Sequence, residues 1–321
     1  MLGRWLAALT ASLLLIAAPA APASAGDKIV LSQYGIAAIT LPYAIALDRG
    51  YFKEQGLDID GFISSNGGGT SIRNMMANGL PFSELGLPAA IAAVHEGIPL
   101  KIVYAAVNNM GETSWVVKKD SPVKTIADMK GRKMGYIGPQ SATEVVAHLV
   151  LQRAGIAKSV EFIPTGGQGG AETALDSGAV DAIPLSDPVL TQTANKYRVL
   201  FHITDQLPEF CNQVGVVTAD YAASHPDVVR KLIAARKEAV DFIYQHPDDA
   251  AKVYARIWKS DDALARQTLA MLIKYKYWSD GRFSPRAMNN VMDGVKLIDD
   301  PVTVVDWRSI TDQSFLPRAR R

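Results

Sequence analysis

Apolar positions along this chain alternate between two periods. Short apolar runs bounded by glycine, proline or asparagine predict strands over 28–33, 58–64, 101–107, 114–118 and 213–218. Between them lie longer stretches with apolar residues at helical spacing. Thr40-Leu41-Pro42 opens one helix, with proline in its first turn, and Gly50 stops it. The most informative stretch is KMGYIGPQSATEVVAHLVLQRAG, residues 133–155. A strand through Met134, Tyr136 and Ile137 breaks at Gly138-Pro139, and a helix opens at once on Ser141 with Glu144 three residues later, the capping-box spacing. Val146, Leu149 and Val150 give that helix one predicted buried stripe, and Gly155 ends it. From residue 220 onward the pattern is helical, with breaks at Pro247, Ser260 and Gly281, and these helices are expected to pack on the first lobe described below.

The strand–turn–helix unit recurs. Asn66-Gly67-Gly68-Gly69-Thr70 follows a strand and precedes a helix ending at Asn78-Gly79; Thr165 and the glycine-rich loop 166–170 do the same before Ser177-Gly178. An offset of 99 residues places Gly79 on Gly178 and Met76 on Leu175. Each copy then runs into a short strand near a proline, Pro88 or Pro188. Such βα units in both halves predict an α/β architecture with open sheets. Residues 101–107 and 114–118, joined by NNMGET, read as a first crossing between two lobes, and 213–218 as the return. The expected lobes are 26–111 with 214–321, and 112–213 as an insertion.

Residues 1–25 are expected to be a cleavable signal peptide. Arg4 supplies the basic start, 6–18 the apolar run, and Ala23-Ser24-Ala25 the cleavage site. No cysteine stands there to carry a lipid, and Cys211 is the sole cysteine, so an intrachain disulfide is excluded. Cleavage leaves about 300 residues, enough for a core that needs no crosslink. Lys plus Arg number 33 and Asp plus Glu 32, a balance that gives no case for nucleic acid or an anionic membrane, and the 318–321 tail (RARR) reads as a solvated terminus.

Several phrases, in order, resemble one family: ALDRGYFKEQGLDI, MMANGLPFSELG, GIPLKIV, IADMKGRKMGY, ALDSGAVDAI and SFLPRA. Together they are similar to substrate-binding proteins of ABC importers, in the nitrate, sulfonate and taurine branch that also includes thiamine-precursor binders of the NMT1/THI5-like group. Ser83-Glu84 departs from the family pattern at one point. The resemblance implies a type II periplasmic-binding-protein fold, two α/β lobes joined by two crossing strands. It also implies a periplasmic location, a small anionic solute such as a sulfonate, and ABC permease and ATPase subunits as partners. Alternatives are a neutral heteroaromatic such as a thiamine pyrimidine precursor, or a sensor role feeding a membrane receptor.

Chemistry of other kinds has little to stand on in the residues. The five histidines are scattered with no HxH or HExxH spacing, no GxSxG elbow occurs, and the glycine loops fit neither nucleotide fingerprint. No cofactor is expected, and a monomeric binding protein rather than an enzyme is. One relative of the family is an enzyme with a cysteine-rich motif, which this chain lacks. Ligands of open α/β sheets bind beyond the carboxyl ends of strands. That rule nominates Gln33, Tyr34, Thr40, Asn66, Gly68, Thr70 and Pro88 from the first lobe, and Ser141, Thr143 and Asp187 from the second. Trp115 and Phe210 sit at the crossings, where an aromatic either walls in a ligand or belongs to the core. Ser141 either caps only its own helix or also serves an anion. Arg73 is a possible anion partner. Loop 66–70 is expected to touch ligand, and loop 166–170 to be a turn.

Overall fold

The protein is described by a computed structural model over residues 26–65, 67–298 and 305–317; the signal peptide, Asn66 and the 318–321 tail lie outside the described residues. Strands β1 (Asp27–Ser32), β2 (Ile59–Ser65), β3 (Phe82–Gly86) and β4 (Leu100–Val107) come first. Then follow β5 (Thr113–Lys118), β6 (Lys133–Tyr136), β7 (Glu161–Pro164), β8 (Ile183–Ser186) and β9 (Tyr197–His202). The last are β10 (Gln213–Thr218) and β11 (Trp278–Gly281). One six-stranded sheet runs β11-β4-β10-β3-β1-β2, with β1 parallel to β2 and β3, and β10 antiparallel to both its neighbours. The strands between β4 and β10 build the other sheet. There β8-β5-β9 is antiparallel, and a parallel bridge from Met134 to Ala182 joins it to the β6-β7 pair. This is the fold of two α/β lobes joined by two crossing segments.

The crossings lie side by side. Phe210 N–H donates to the Asn108 carbonyl and Asn212 N–H to that of Val107, each at 2.9 Å. The return strand β10 thus enters the first sheet between β3 and β4. It passes beneath Tyr104, whose ring covers Gly215 so closely that a β-carbon there would sit 1.8 Å from Cε1.

Glu84, where the sequence departs from the family pattern, sits in β3 at 1% exposure and takes a 2.7 Å bond from Arg236 Nε. Tyr104 donates a second bond to the same oxygen at 2.8 Å, and the Arg236 guanidinium lies 4.8 Å from the Tyr104 ring centre. Ser83 Oγ donates to the Val30 carbonyl at 2.8 Å. A buried charge pair therefore replaces apolar packing, and it anchors the long Pro226–Gln245 helix to the sheet.

Four expectations are corrected. Gly281 marks no break between helices but ends β11, which pairs antiparallel with β4. The two glycine-loop helices, Gly68–Ala77 and Gln168–Ser177, superpose at an offset of 100, not 99. Met75 is buried like Leu175, whereas Met76 is half exposed, because one residue rotates a helix by about 100°. The Ala142–Arg153 helix is buried well beyond one stripe, Val145, Ala147 and Leu151 included, since Pro285–Ile298 packs on it. That last helix consequently does not belong to the first lobe alone. Its Gly294 approaches Val145 so closely that an added β-carbon would fall 2.4 Å away, and its Asn290 accepts a bond from Arg153.

Candidate functional site

A cleft separates the two sheets beyond their carboxyl ends. Its inner part encloses about 680 Å³ of empty space and its outer part about 1360 Å³, open solvent at the mouth included. Gln33, Gly68, Ile137, Gln140, Ser141 and Gln168 border both parts, so they are one site. The volume suits a small solute.

Three helices begin at this cleft. Gly68–Ala77 and Gln168–Ser177 start from glycines, Gly67 at φ 84° and Gly167 at φ 123°, and neither has a side chain to answer its first-turn N–H groups. Gly68 is also required by packing: a β-carbon there would lie 2.0 Å from that of Ala89. The third helix is Ala142–Arg153. Its Ser141 Oγ accepts from Glu144 N at 3.2 Å and lies 2.9 Å from Thr143 Oγ1, which also accepts from Ile137 N at 3.0 Å. The two hydroxyls hold two protons and share one hydrogen bond between them. One O–H donor is therefore left to offer to the cleft.

Two turns reach into the site by adopting left-handed backbone without glycine, Gln33 at φ 61° and Gln140 at φ 60°. Each is pinned. Gln33 N–H donates to the Ser65 carbonyl at 2.9 Å, and Gln140 N–H to Glu144 Oε2 at 2.6 Å. Burial raises the Glu144 carboxyl above its ordinary range, opposed by that N–H and by Tyr136. Arg73 lies at the outer part with its guanidinium on Thr70 Oγ1 at 3.1 Å.

At the inner end lies Glu112, from the first crossing and 4% exposed. Its Oε1 accepts from Asn212 Nδ2 of the return crossing at 3.2 Å, while Oε2 is buried without a hydrogen-bond partner. Burial raises its pKa to about 7; nearby Asp187 adds to the rise, and the Tyr277 and Thr113 hydroxyls oppose it without completing the coordination of Oε2.

The nominated residues divide accordingly. Gln33, Gly68, Ser141 and Thr143 border the inner part, and Thr70 joins the outer one. Asn66 is outside the described residues. Pro88 borders a separate small cavity against the Ala142–Arg153 helix. The others lie away from the cleft lining. Tyr34 packs on Phe62 with ring centres 4.6 Å apart, and Thr40 is buried with its hydroxyl on the Ala37 carbonyl. Trp115 is fully buried in central strand β5, stacked on Phe201, with its indole N–H on the Gly135 carbonyl. Phe210 is fully buried in the core. Asp187 is buried with Oδ1 on Thr191. The structure also places 166–169 of the second glycine loop on the outer cleft, where only a turn was expected. Sequence reasoning passed over Glu112, Gln140 and Gln168. A carboxylate within NNMGET, between two strands already read as crossings, was the available signal for the first.

A family model described as NMT1/THI5 like matches residues 39–250. A Bacillus subtilis protein named for binding aliphatic sulfonates is 22% identical over 268 residues, covering 81% of this chain and 80% of that one. The formylaminopyrimidine-binding protein of Halalkalibacterium halodurans is 24% identical over 313 residues, covering 89% and 90%. Among solved structures, the periplasmic aliphatic sulphonate binding protein SsuA of Escherichia coli superposes with a TM-score of 0.65 at 18% identity, over 76% of this chain and 82% of that one. With a two-lobed α/β fold, a cleft at the strand ends and a family match across most of its length, the chain belongs to the NMT1/THI5-like family of the periplasmic-binding-protein fold.

Proposed function

We propose that this chain is an exported solute-binding protein of an ABC importer. It captures a small organic anion, sulfonate-like, between lobes 26–111 with 214–321 and 112–213, and delivers it to a permease and its ATPase. The observation that carries the reading is the convergence of three helix N-termini from both sides on one cleft, with a hydroxyl proton at Ser141 or Thr143 to spare. First-turn N–H groups and the positive ends of helix dipoles hold an anion without a buried cation. Arg73 at the outer part adds a charge that attracts the ligand during entry.

Closure follows from the paired crossings. Rotation about 108–112 and 207–212 brings the glycine loops onto Gln140 and Ser141, and a ligand touching both sides favours the closed form by its differential contacts. The permease then recognises that form. The ligand leaves unchanged. Burial pushes the Cys211 thiol up to about 12, so it supplies no thiolate nucleophile at neutral pH. Among the described residues no aromatic side chain borders the inner or outer cleft, which favours the anion over a heteroaromatic that needs a ring to stack on.

A thermal-shift screen of the chain from Gly26 onward tests this. Alkanesulfonates should raise the melting temperature in a saturable way, by about 2.7 kcal/mol of stabilisation at a hundredfold excess over Kd. Stabilisation by aminopyrimidines alone would overturn the anion reading.

A further inference from the structure

Two buried polar atoms in the inner cleft have no partner within the protein. Glu112 Oε2 is an acceptor whose companion oxygen is already held by Asn212. Gln168 Nε2 is a donor whose amide orientation is fixed, because Gln168 Oε1 accepts from Ser186 N–H at 2.9 Å. Their neighbours bring them together. Thr113, next to Glu112, pairs across the sheet with Ser186, hydroxyl to hydroxyl at 2.6 Å, and Asp187 N–H donates to the Glu112 carbonyl at 3.0 Å. Both Glu112 and Gln168 line the inner part of the cleft. Buried polar groups in native proteins are satisfied, so an unpaired acceptor beside an unpaired donor, both lining a ligand cavity, calls for a group carrying the opposite pair.

Building on the anion reading above, we infer that the inner cleft recognises an amide-type group on the ligand, a carboxamide, N-acyl or ureido unit. Its N–H is held by Glu112 Oε2 and its carbonyl by Gln168 Nε2. The ligand class is thus an amide-bearing organic anion: the charged end meets the helix N-termini and the amide end meets the crossings. The arrangement also ties recognition to the hinge, since Glu112 stands on one crossing and is bonded to the other through Asn212. A plain alkyl chain at this depth leaves both atoms unpaired.

The test compares two sulfonates of equal chain length, N-acetyl-2-aminoethanesulfonate and pentane-1-sulfonate. Each is titrated calorimetrically at pH 8, where the carboxyl, with its pKa of about 7, is ionised. Wild type is expected to bind the acetamide at least tenfold tighter. In Glu112→Gln, Asn212 keeps the amide oxygen where Oε1 was, so an NH2 donor replaces the acceptor and opposes the ligand's N–H. The affinity ratio should then fall to near one, with circular dichroism confirming an unchanged fold. Gln168→Leu should lower the ratio in the same way. Equal binding of both sulfonates by wild type, or a ratio unmoved in Glu112→Gln, overturns the inference while leaving the anion site standing. Binding of neither removes the anion reading and this inference with it.

Discussion

Arg236 Nε donates to Glu84 Oε2 at 2.7 Å across 152 residues of chain, with both side chains almost wholly buried. The guanidinium also donates to the Ala106 carbonyl at 3.1 Å, so one side chain joins a helix to two strands of the first sheet. Removing one member strands the other. Arg236→Met should cost about 3–5 kcal/mol in urea unfolding, because it leaves a buried carboxylate unpaired. The double variant Glu84→Leu with Arg236→Met should recover most of that. A single variant within about 0.5 kcal/mol of wild type would show that the pair does not hold the helix.

Ser141 does two jobs that separate by measurement. As the cap of the Ala142–Arg153 helix it is worth about 1 kcal/mol of stability. As part of the hydroxyl pair it leaves a donor for ligand. Ser141→Ala with Thr143→Ala should therefore lose both, with sulfonate affinity falling roughly tenfold, the equivalent of about 1.4 kcal/mol. Loss of stability at unchanged affinity would assign the pair to structure alone.

The glycines of the first loop are not interchangeable with those of the second. Gly68→Ala drives a methyl to 2.0 Å from Ala89 and should destabilise by about 1–3 kcal/mol. Gly169 has open space around the same direction, so Gly169→Ala should be neutral or stabilising by up to about 1 kcal/mol. Melting temperatures of the two variants decide it; similar values would refute the close approach of the two helices.

The fold was legible because its strands are apolar runs punctuated by glycine and proline, and 213–218 matches β10 end for end. The Ser141–Glu144 cap was legible too, since capping is a local interaction at fixed spacing. What escaped reading depends on tertiary placement. An aromatic in a wholly apolar strand looks the same whether it faces a cleft or a core; Trp115 and Phe210 face the core because sheets and helices enclose them. A single glutamate in a connecting segment carries no sign that both crossings will bury it. Nor does composition show that Gln33 and Gln140 will take a left-handed backbone that other residues hold in place.

Glu112 makes stability depend on pH in a stated direction. Its folded pKa of about 7 lies above the ordinary 4.5, so between those values the folded chain holds a proton that the unfolded chain has released. Its contribution is full below about pH 4.5 and is lost as pH rises to about 7. Asp187 and Tyr277 face the same carboxyl, the first adding to the shift and the second opposing it. Glu112→Gln should therefore gain stability relative to wild type between pH 5 and pH 8, by an amount on the order of 3 kcal/mol at most. Urea unfolding at the two pH values checks it; a difference that does not change with pH would place the carboxyl's titration elsewhere.

The central claim is that ligand is held between the two lobes, and Gly69 offers the most direct test. A β-carbon there would lie 3.7 Å from the Arg73 guanidinium and 3.8 Å from Gln140 Oε1 of the facing lobe, so Gly69→Trp places a ring across the cleft without entering either core. Calorimetric titration of a sulfonate into wild type and this variant is the measurement to make. The expected result is one saturable site in wild type, weakened at least a hundredfold in Gly69→Trp at an unchanged melting temperature. Equal affinity in the two proteins would contradict the account, because a ligand indifferent to a wedge between the lobes is not bound between them.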